Sequence, residues 1–153
     1  MLFSPHHEDL YRTSLEEGWG RDSARRGPED FEVAASVPFI VTDDAEAAAD
    51  SLRAYYALYF GGMGAKGVNF HANVAIRMGY EREVDDIQDL YLGGKKDEAA
   101  ARLPQELIEK LALIGPADKI RHDLEAWRDS IVTTLLVTGE IGTVRAAAEL
   151  VLG

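Results

Sequence analysis

The chain has 153 residues, no cysteine, and 27 acidic against 16 basic side chains, for a formal charge of −11. That length allows one domain, and 46% apolar with 28% charged residues is a composition able to bury a core, which excludes global disorder. Without cysteine there is no disulfide, thiol nucleophile or cysteine-ligated zinc, and the acid excess speaks against a nucleic-acid partner, since neutralising phosphates takes clustered cations.

The N-terminal MLFSPHHEDL has neither the basic region nor the apolar run of a signal peptide, and nowhere do about 18 apolar residues follow one another, so a cytoplasmic protein with no membrane partner is expected. Leu2-Phe3 allows a strand stub. His7 to Leu15 predicts a short helix, broken by Gly18, Gly20 and the polar stretch Arg21 to Pro28. Arg25-Arg26 there, like Lys95-Lys96 later, is flanked by acids and reads as solvated loop. Phe31 to Val41 (FEVAASVPFIV) is almost continuously apolar from Val33 onward and predicts a strand buried on both faces. Asp43 then predicts a helix cap, completed as a capping box by Glu46. The following run places Ala48, Leu52, Tyr55, Tyr56 and Tyr59 on one apolar face, which Gly61-Gly62 ends. That spacing assigns the tyrosines, like Trp127, to the core and not to an aromatic cofactor box.

Between Val68 and Leu111 the chain predicts several short helices and no strand, separated by Gly79, Gly93-Gly94 and Pro104. Leu113-Ile114-Gly115-Pro116 introduces another helix, with Ile120, Leu124 and Trp127 at helical spacing. Ile131 to Val137 (IVTTLLV) predicts a second buried strand, followed by the loop Thr138 to Gly142 and a terminal helix over Thr143 to Leu152. Strands separated by helical crossovers predict a parallel sheet in an α/β fold. Two strands are few for so many helices, and an eight-stranded barrel takes about 200 to 250 residues, so the chain reads as part of a larger sheet.

Gly62-Met63-Gly64-Ala65-Lys66-Gly67 matches the dinucleotide pattern G-x-G-x-x-G, but it follows a helix where phosphate binding needs a strand. A helix-breaking loop is the expectation, with Lys66 at its tip able to meet an anion. Thr138-Gly139-Glu140-Ile141-Gly142 is better placed, at the carboxyl end of a strand, although Glu140 repels phosphate. His6-His7-Glu8-Asp9 offers adjacent, diverging side chains with no second ligand pair, so no metal site is expected. His71 has the chemistry of an acid, base or donor. Glu81, Glu83, Asp85, Asp86 and Asp89 spread around a helix as a solvated acidic face.

Five segments carry a family resemblance: MLFSP, VPFIVTDD, LYFGGMGAKGVNF, ALIGPADKIRHDLEAW and VTTLLVTG. Together, over essentially the whole chain, they resemble the C-terminal part of the luciferase-like oxidoreductases. The run Gly61 to Gly64 followed by Asn69-Phe70 is most similar to actinobacterial members that use the deazaflavin coenzyme F(420). The resemblance implies a partial (β/α)8 TIM barrel, with Met1-Leu2-Phe3 ending the sixth strand, Phe31 to Val41 the seventh, Ile131 to Val137 the eighth, and residues 62–112 a helical insertion before the last strand. One departure is Ser130-Ile131, which stands where the family usually has a glycine turn.

The resemblance further implies a flavin- or deazaflavin-dependent oxidoreductase or monooxygenase, moving a hydride between coenzyme F(420) or FMN and a small organic substrate. Its pocket would be bordered by Ser4, His6, Lys66, Asn69, Phe70, His71, Thr138 and Gly139. Full-length relatives are about twice as long, and the N-terminal portion supplies most cofactor contacts, so this chain alone is expected to bind cofactor weakly and to pair with such a portion or with itself. The alternative is a catalytically inactive acidic interaction or assembly module derived from such an enzyme.

Overall fold

The computed structural model describes residues 2–153; Met1, expected in the sixth strand, lies outside them. In chain order the elements are α1 (Asp9–Trp19), β1 (Ala34–Ser36), β2 (Phe39–Val41), α2 (Ala45–Ala57), α3 (Phe70–Arg77), α4 (Glu81–Leu92), α5 (Lys96–Ala101), α6 (Gln105–Leu111), β3 (Leu113–Gly115), α7 (Ala117–Arg128), β4 (Thr134–Leu136) and α8 (Ile141–Leu152). The fold is α/β, and helices α3 to α6 fill the stretch expected to be helical.

The strands form two parallel pairs. β1 aligns with β4, Ala34 opposite Thr134 and Ser36 opposite Leu136, while β2 aligns with β3, Phe39 opposite Leu113 and Val41 opposite Gly115. The single strand expected over 31–41 is therefore two, and Pro38 marks the change of partner. Val37 still donates its N–H to the Leu136 carbonyl (3.2 Å), whereas Pro38 has no N–H and its carbonyl accepts from Leu113 (2.9 Å). The β2–β3 pair closes the neck of a helical excursion that leaves after Val41 and returns at Leu113. Sequence reading missed β3 because three residues before a helix-initiating Pro116 read as helix approach.

Burial on both faces is also corrected. Along β1 only Ala35 is buried, between exposed Ala34 and Ser36, and on β4 Leu136 is 47% exposed. One face is covered by α7 and α8, whose Ile120, Leu124, Trp127, Ala147 and Leu150 pack with Ala35, Val37, Phe39 and Leu113. On the opposite alternation Glu32, Ala34, Ser36 and Leu136 are exposed. Leu2 and Phe3 are buried without joining a ladder: the Phe3 ring packs on Tyr11 and Trp127, and the Tyr11 hydroxyl donates to the Leu2 carbonyl (2.8 Å). A second core inside the excursion gathers Tyr56, Phe60, Val84, Ile87, Leu107 and Ile108.

Two local devices differ from expectation. The cap of α2 is Asp44 and not Asp43: its Oδ1 accepts from the Ala47 N–H (2.9 Å), and Thr42 Oγ1 accepts from the Asp44 N–H (3.1 Å). Helix α8 starts at Ile141, two residues early. The turn before β4 needs no left-handed residue, since every positive φ in the described chain belongs to glycine. Ser130 makes it instead, its Oγ donating to the Trp127 carbonyl (2.8 Å) and accepting from the Val132 N–H (3.2 Å).

Beside this turn Glu8 joins the two ends of the chain, its Oε2 accepting from the Ile131 N–H (2.7 Å) while Oε1 pairs with Arg12. Losing a charged acceptor from a part-buried amide costs about 1–3 kcal/mol. Glu8→Ala should lower the unfolding free energy by that amount in a urea titration and Glu8→Gln by less; unchanged stability in both would show that α1 docks without this bond.

Candidate functional site

The carboxyl ends of β1 and β4 open into a cavity of about 410 Å3, whose base is Ser36, the last residue of β1, and Thr138, just beyond β4. Pro38, Phe39 and Ile40 form one side, and Leu2 reaches it from the N-terminal segment. The excursion supplies the remaining wall: Leu52, Tyr55, Tyr56 and Tyr59 from α2 and the turn after it, and Leu111 from the end of α6. Among the described residues no acidic or basic side chain lines the cavity. Its polar groups are hydroxyls, set among aromatic rings and aliphatic groups.

Of the tyrosines expected in the core, Tyr56 alone is fully buried, and its hydroxyl donates to the Leu111 carbonyl (3.1 Å). Tyr55 is 44% exposed and Tyr59 half-buried, with ring centroids 4.6 Å apart. Burial, aided by the neighbouring Tyr59 hydroxyl, pushes the Tyr55 phenol up to about 12, so it is neutral at ordinary pH. Tyr59 meets the His71 ring edge-on at 4.7 Å, and His71 in turn meets Phe70 at 5.7 Å. A line of rings thus leads from the cavity to Phe70, which is exposed.

The helix bearing the tyrosines ends in a π-turn, Leu58–Gly62, and Asn69 secures it. Its Nδ2 donates to the carbonyls of Tyr59 and Phe60 (both 2.9 Å), groups that the wider turn leaves without helical partners. Its Oδ1 accepts from the N–H groups of His71 (3.0 Å) and Ala72 (3.1 Å), capping α3. Gly61 permits the turn, because a Cβ there would lie 2.5 Å from the Cβ of Tyr91. Asn69 is buried with both polar atoms engaged inside the protein, and so positions the tyrosine wall and His71.

The remaining sequence candidates divide. Gly139 adjoins Thr138, and its missing Cβ leaves room for Thr143, whose Cβ would stand 2.9 Å away. Ser4 is buried, with Oγ unpaired. Lys66 does not face the cavity: it bridges Asp89 (2.8 Å) and Asp85 (3.5 Å) on α4, and the Asp89 bond raises its pKa. His6 lies in a separate polar cleft of about 240 Å3 with Glu106, Lys110, Lys119 and Asp123. Among the described residues no three imidazoles or carboxylates gather as a metal site would require. The acids of α4 are mostly solvent-facing. Sequence reasoning passed over Ser36, whose signal was available: it is the lone hydroxyl between Val33 and Val41, on the alternation opposite to Ala35.

A family model described as luciferase-like monooxygenase matches residues 3–134. The chain belongs to that family. Over 152 residues it is 41% identical to Rv3520c of Mycobacterium tuberculosis, proposed by its name to be a coenzyme F(420)-dependent oxidoreductase, covering 99% of this chain and 44% of that protein. Its fold matches the coenzyme F(420)-dependent tetrahydromethanopterin reductase of Methanopyrus kandleri with a TM-score of 0.72 at 19% identity, covering 97% of this chain and 42% of that one. The chain thus spans less than half the length of either. No helix among the described residues is long and apolar enough to cross a membrane.

Coenzyme F(420) and FMN each join a flat ring system to an anionic tail. The cavity suits an uncharged ring and, among the described residues, offers no basic side chain to a phosphate, so its residues do not fit the whole of either cofactor.

Two imidazoles give the fold a pH dependence. Burial lowers the pKa of both His71 and His7 below the ordinary 6.5, Lys110 adding to the effect at His7. The folded state therefore binds fewer protons than the unfolded chain, and this part of the stability is present above 6.5 and lost as pH falls toward the lower folded values. Acidification from about pH 8 to about pH 5.5 should lower the urea midpoint, less so in a His7→Gln, His71→Gln double variant. A midpoint that rises on acidification, or identical slopes for both proteins, would contradict this.

Proposed function

We propose that this chain works as the carboxyl-terminal portion of a (β/α)8 barrel oxidoreductase that passes a hydride between coenzyme F(420), or FMN, and a small organic substrate. In this reading β1 and β4 are the seventh and eighth barrel strands, α7 and α8 belong to the outer helical ring, and the helical insertion at 62–112 lies over the substrate side. The remaining strands come from an N-terminal barrel portion or, less completely, from a second copy of the chain. One observation carries the proposal: the sheet face bearing Ala34, Ser36 and Leu136 is exposed while the opposite face is packed under helices. Parallel sheets are normally covered on both sides, and in a barrel the second cover is the other strands.

The cavity at the carboxyl ends of β1 and β4 lies where barrel enzymes place their chemistry. Ser36 and Thr138 would face the reacting partners, and the tyrosine wall would exclude water from them. The cofactor's anionic tail would be held by the portion that this cavity lacks. Transfer to or from a deazaflavin ring is chemistry the cofactor supplies, and the protein's share is to hold the ring against the substrate.

Two measurements test this reading. The isolated chain should bind FMN and coenzyme F(420) with dissociation constants above about 10 μM, because a preformed pocket is needed for tight binding. A submicromolar constant in a fluorescence titration would overturn the need for a second portion. Light scattering should show a dimer or larger species at micromolar concentration, with dye bound to exposed apolar surface, and co-expression with an N-terminal barrel portion should suppress both. A dye-silent monomer that unfolds cooperatively would contradict the partial barrel.

A further inference from the structure

The lining of the cavity restricts what can enter it. We propose that the cavity between Ser36, Thr138 and the tyrosine wall is this chain's part of the substrate subsite, and that it takes the uncharged, mostly apolar part of an organic molecule with an oxygen function, and rejects carboxylates and phosphates there. This deepens the proposed function, on which the word substrate rests. The ligand class itself follows from the lining alone.

Charge decides the exclusion. An anion entering this space would lose water and meet no basic side chain among the described residues of the lining, and Lys66 on the excursion loop is held by two aspartates. The chain's charge of −11 opposes anion approach from a distance as well. A cation would find no carboxylate in the lining either. A neutral molecule loses little on entry.

Shape decides the rest. Tyr55 and Tyr59 pack against each other at 4.6 Å with a 41° tilt, so together they present one aromatic wall for a ligand to lie against, and His71 braces Tyr59 edge-on from outside the cavity. Ser36 and Thr138, on the strand side of the lining, carry hydroxyls able to donate to a carbonyl or alcohol oxygen. The Tyr56 hydroxyl is spent on the Leu111 carbonyl, so Tyr56 offers its ring only.

The test uses the full chain, without cofactor, and two probes of one shape: naphthol, neutral at pH 7, and naphthoate, anionic. Calorimetric titration should give saturable naphthol binding and at least about tenfold weaker naphthoate binding, the cost of burying an unpaired carboxylate. Tyr55→Ala and Tyr59→Ala, both at partly exposed positions, should each weaken naphthol about threefold to tenfold, as loss of a ring contact does. Thr138→Lys should raise naphthoate affinity above that of the wild-type chain, a gain that misfolding cannot mimic. Equal or tighter binding of naphthoate, no saturable naphthol binding, naphthol affinity indifferent to both tyrosine variants, or no naphthoate gain in Thr138→Lys would each overturn the proposal. Cofactor titration reads the oxidoreductase assignment separately, so either can fail while the other stands.

Discussion

Three residue pairs hold the cavity together: Phe39 with Leu113, Ile40 with Ile114, and Val41 with Gly115. They close the neck of the helical excursion, and without them the wall of tyrosines has no fixed relation to the strands it faces. The pairing depends on Pro38. A residue with an N–H would let the run from Val33 continue as one strand beside β4, but proline ends that ladder and presents its carbonyl to Leu113 instead. One apolar segment therefore serves two partners: its first half belongs to the sheet beneath α7 and α8, its second to the excursion.

The excursion is held rigid at its far end by a different means. A π-turn widens the end of α2 and frees two carbonyls, which a single side chain, Asn69, takes up while capping the next helix. Tyr56 and Tyr59 both border the cavity, Tyr56 fully buried in the excursion core and Tyr59 packed on it and half-buried. Burial is the common cause of the perturbed tyrosine and histidine ionisation here, and it leaves a neutral aromatic surface in a strongly acidic chain.

Much of the fold was legible in the sequence because its signals are local. The β-branched runs located β1, β2 and β4, and glycine and proline punctuation separated α3 through α6. Non-local facts were not legible. The three residues of β3 are too few to show a period, and only their partner makes them a strand. Burial on both faces was inferred for 31–41 and 131–137 from continuous apolar character, yet β1 and β4 each have one open face, since a strand's sequence records the cover it is suited to and not what this chain can supply. At the site, Thr138 was visible from its place after a strand. Tyr55 was read as core because a 3.6-residue period marks an apolar stripe without saying how much of its edge is covered, and Lys66 was read as free because its aspartate partners are 19 and 23 residues away.

The central claim is that β1 is packed on one face and open on the other, the open face being the one proposed to take further strands. The absence of cysteine makes this directly measurable. Ala34→Cys and Ala35→Cys place a single thiol on opposite faces of adjacent residues, and the rate of maleimide labelling reads the cover over each. In the isolated chain the thiol at 34 should react rapidly and the thiol at 35 only as fast as the fold opens; addition of an N-terminal barrel portion should then protect position 34 as well. Equal protection at both positions in the isolated chain would show that this chain covers its own sheet, and the account would be wrong.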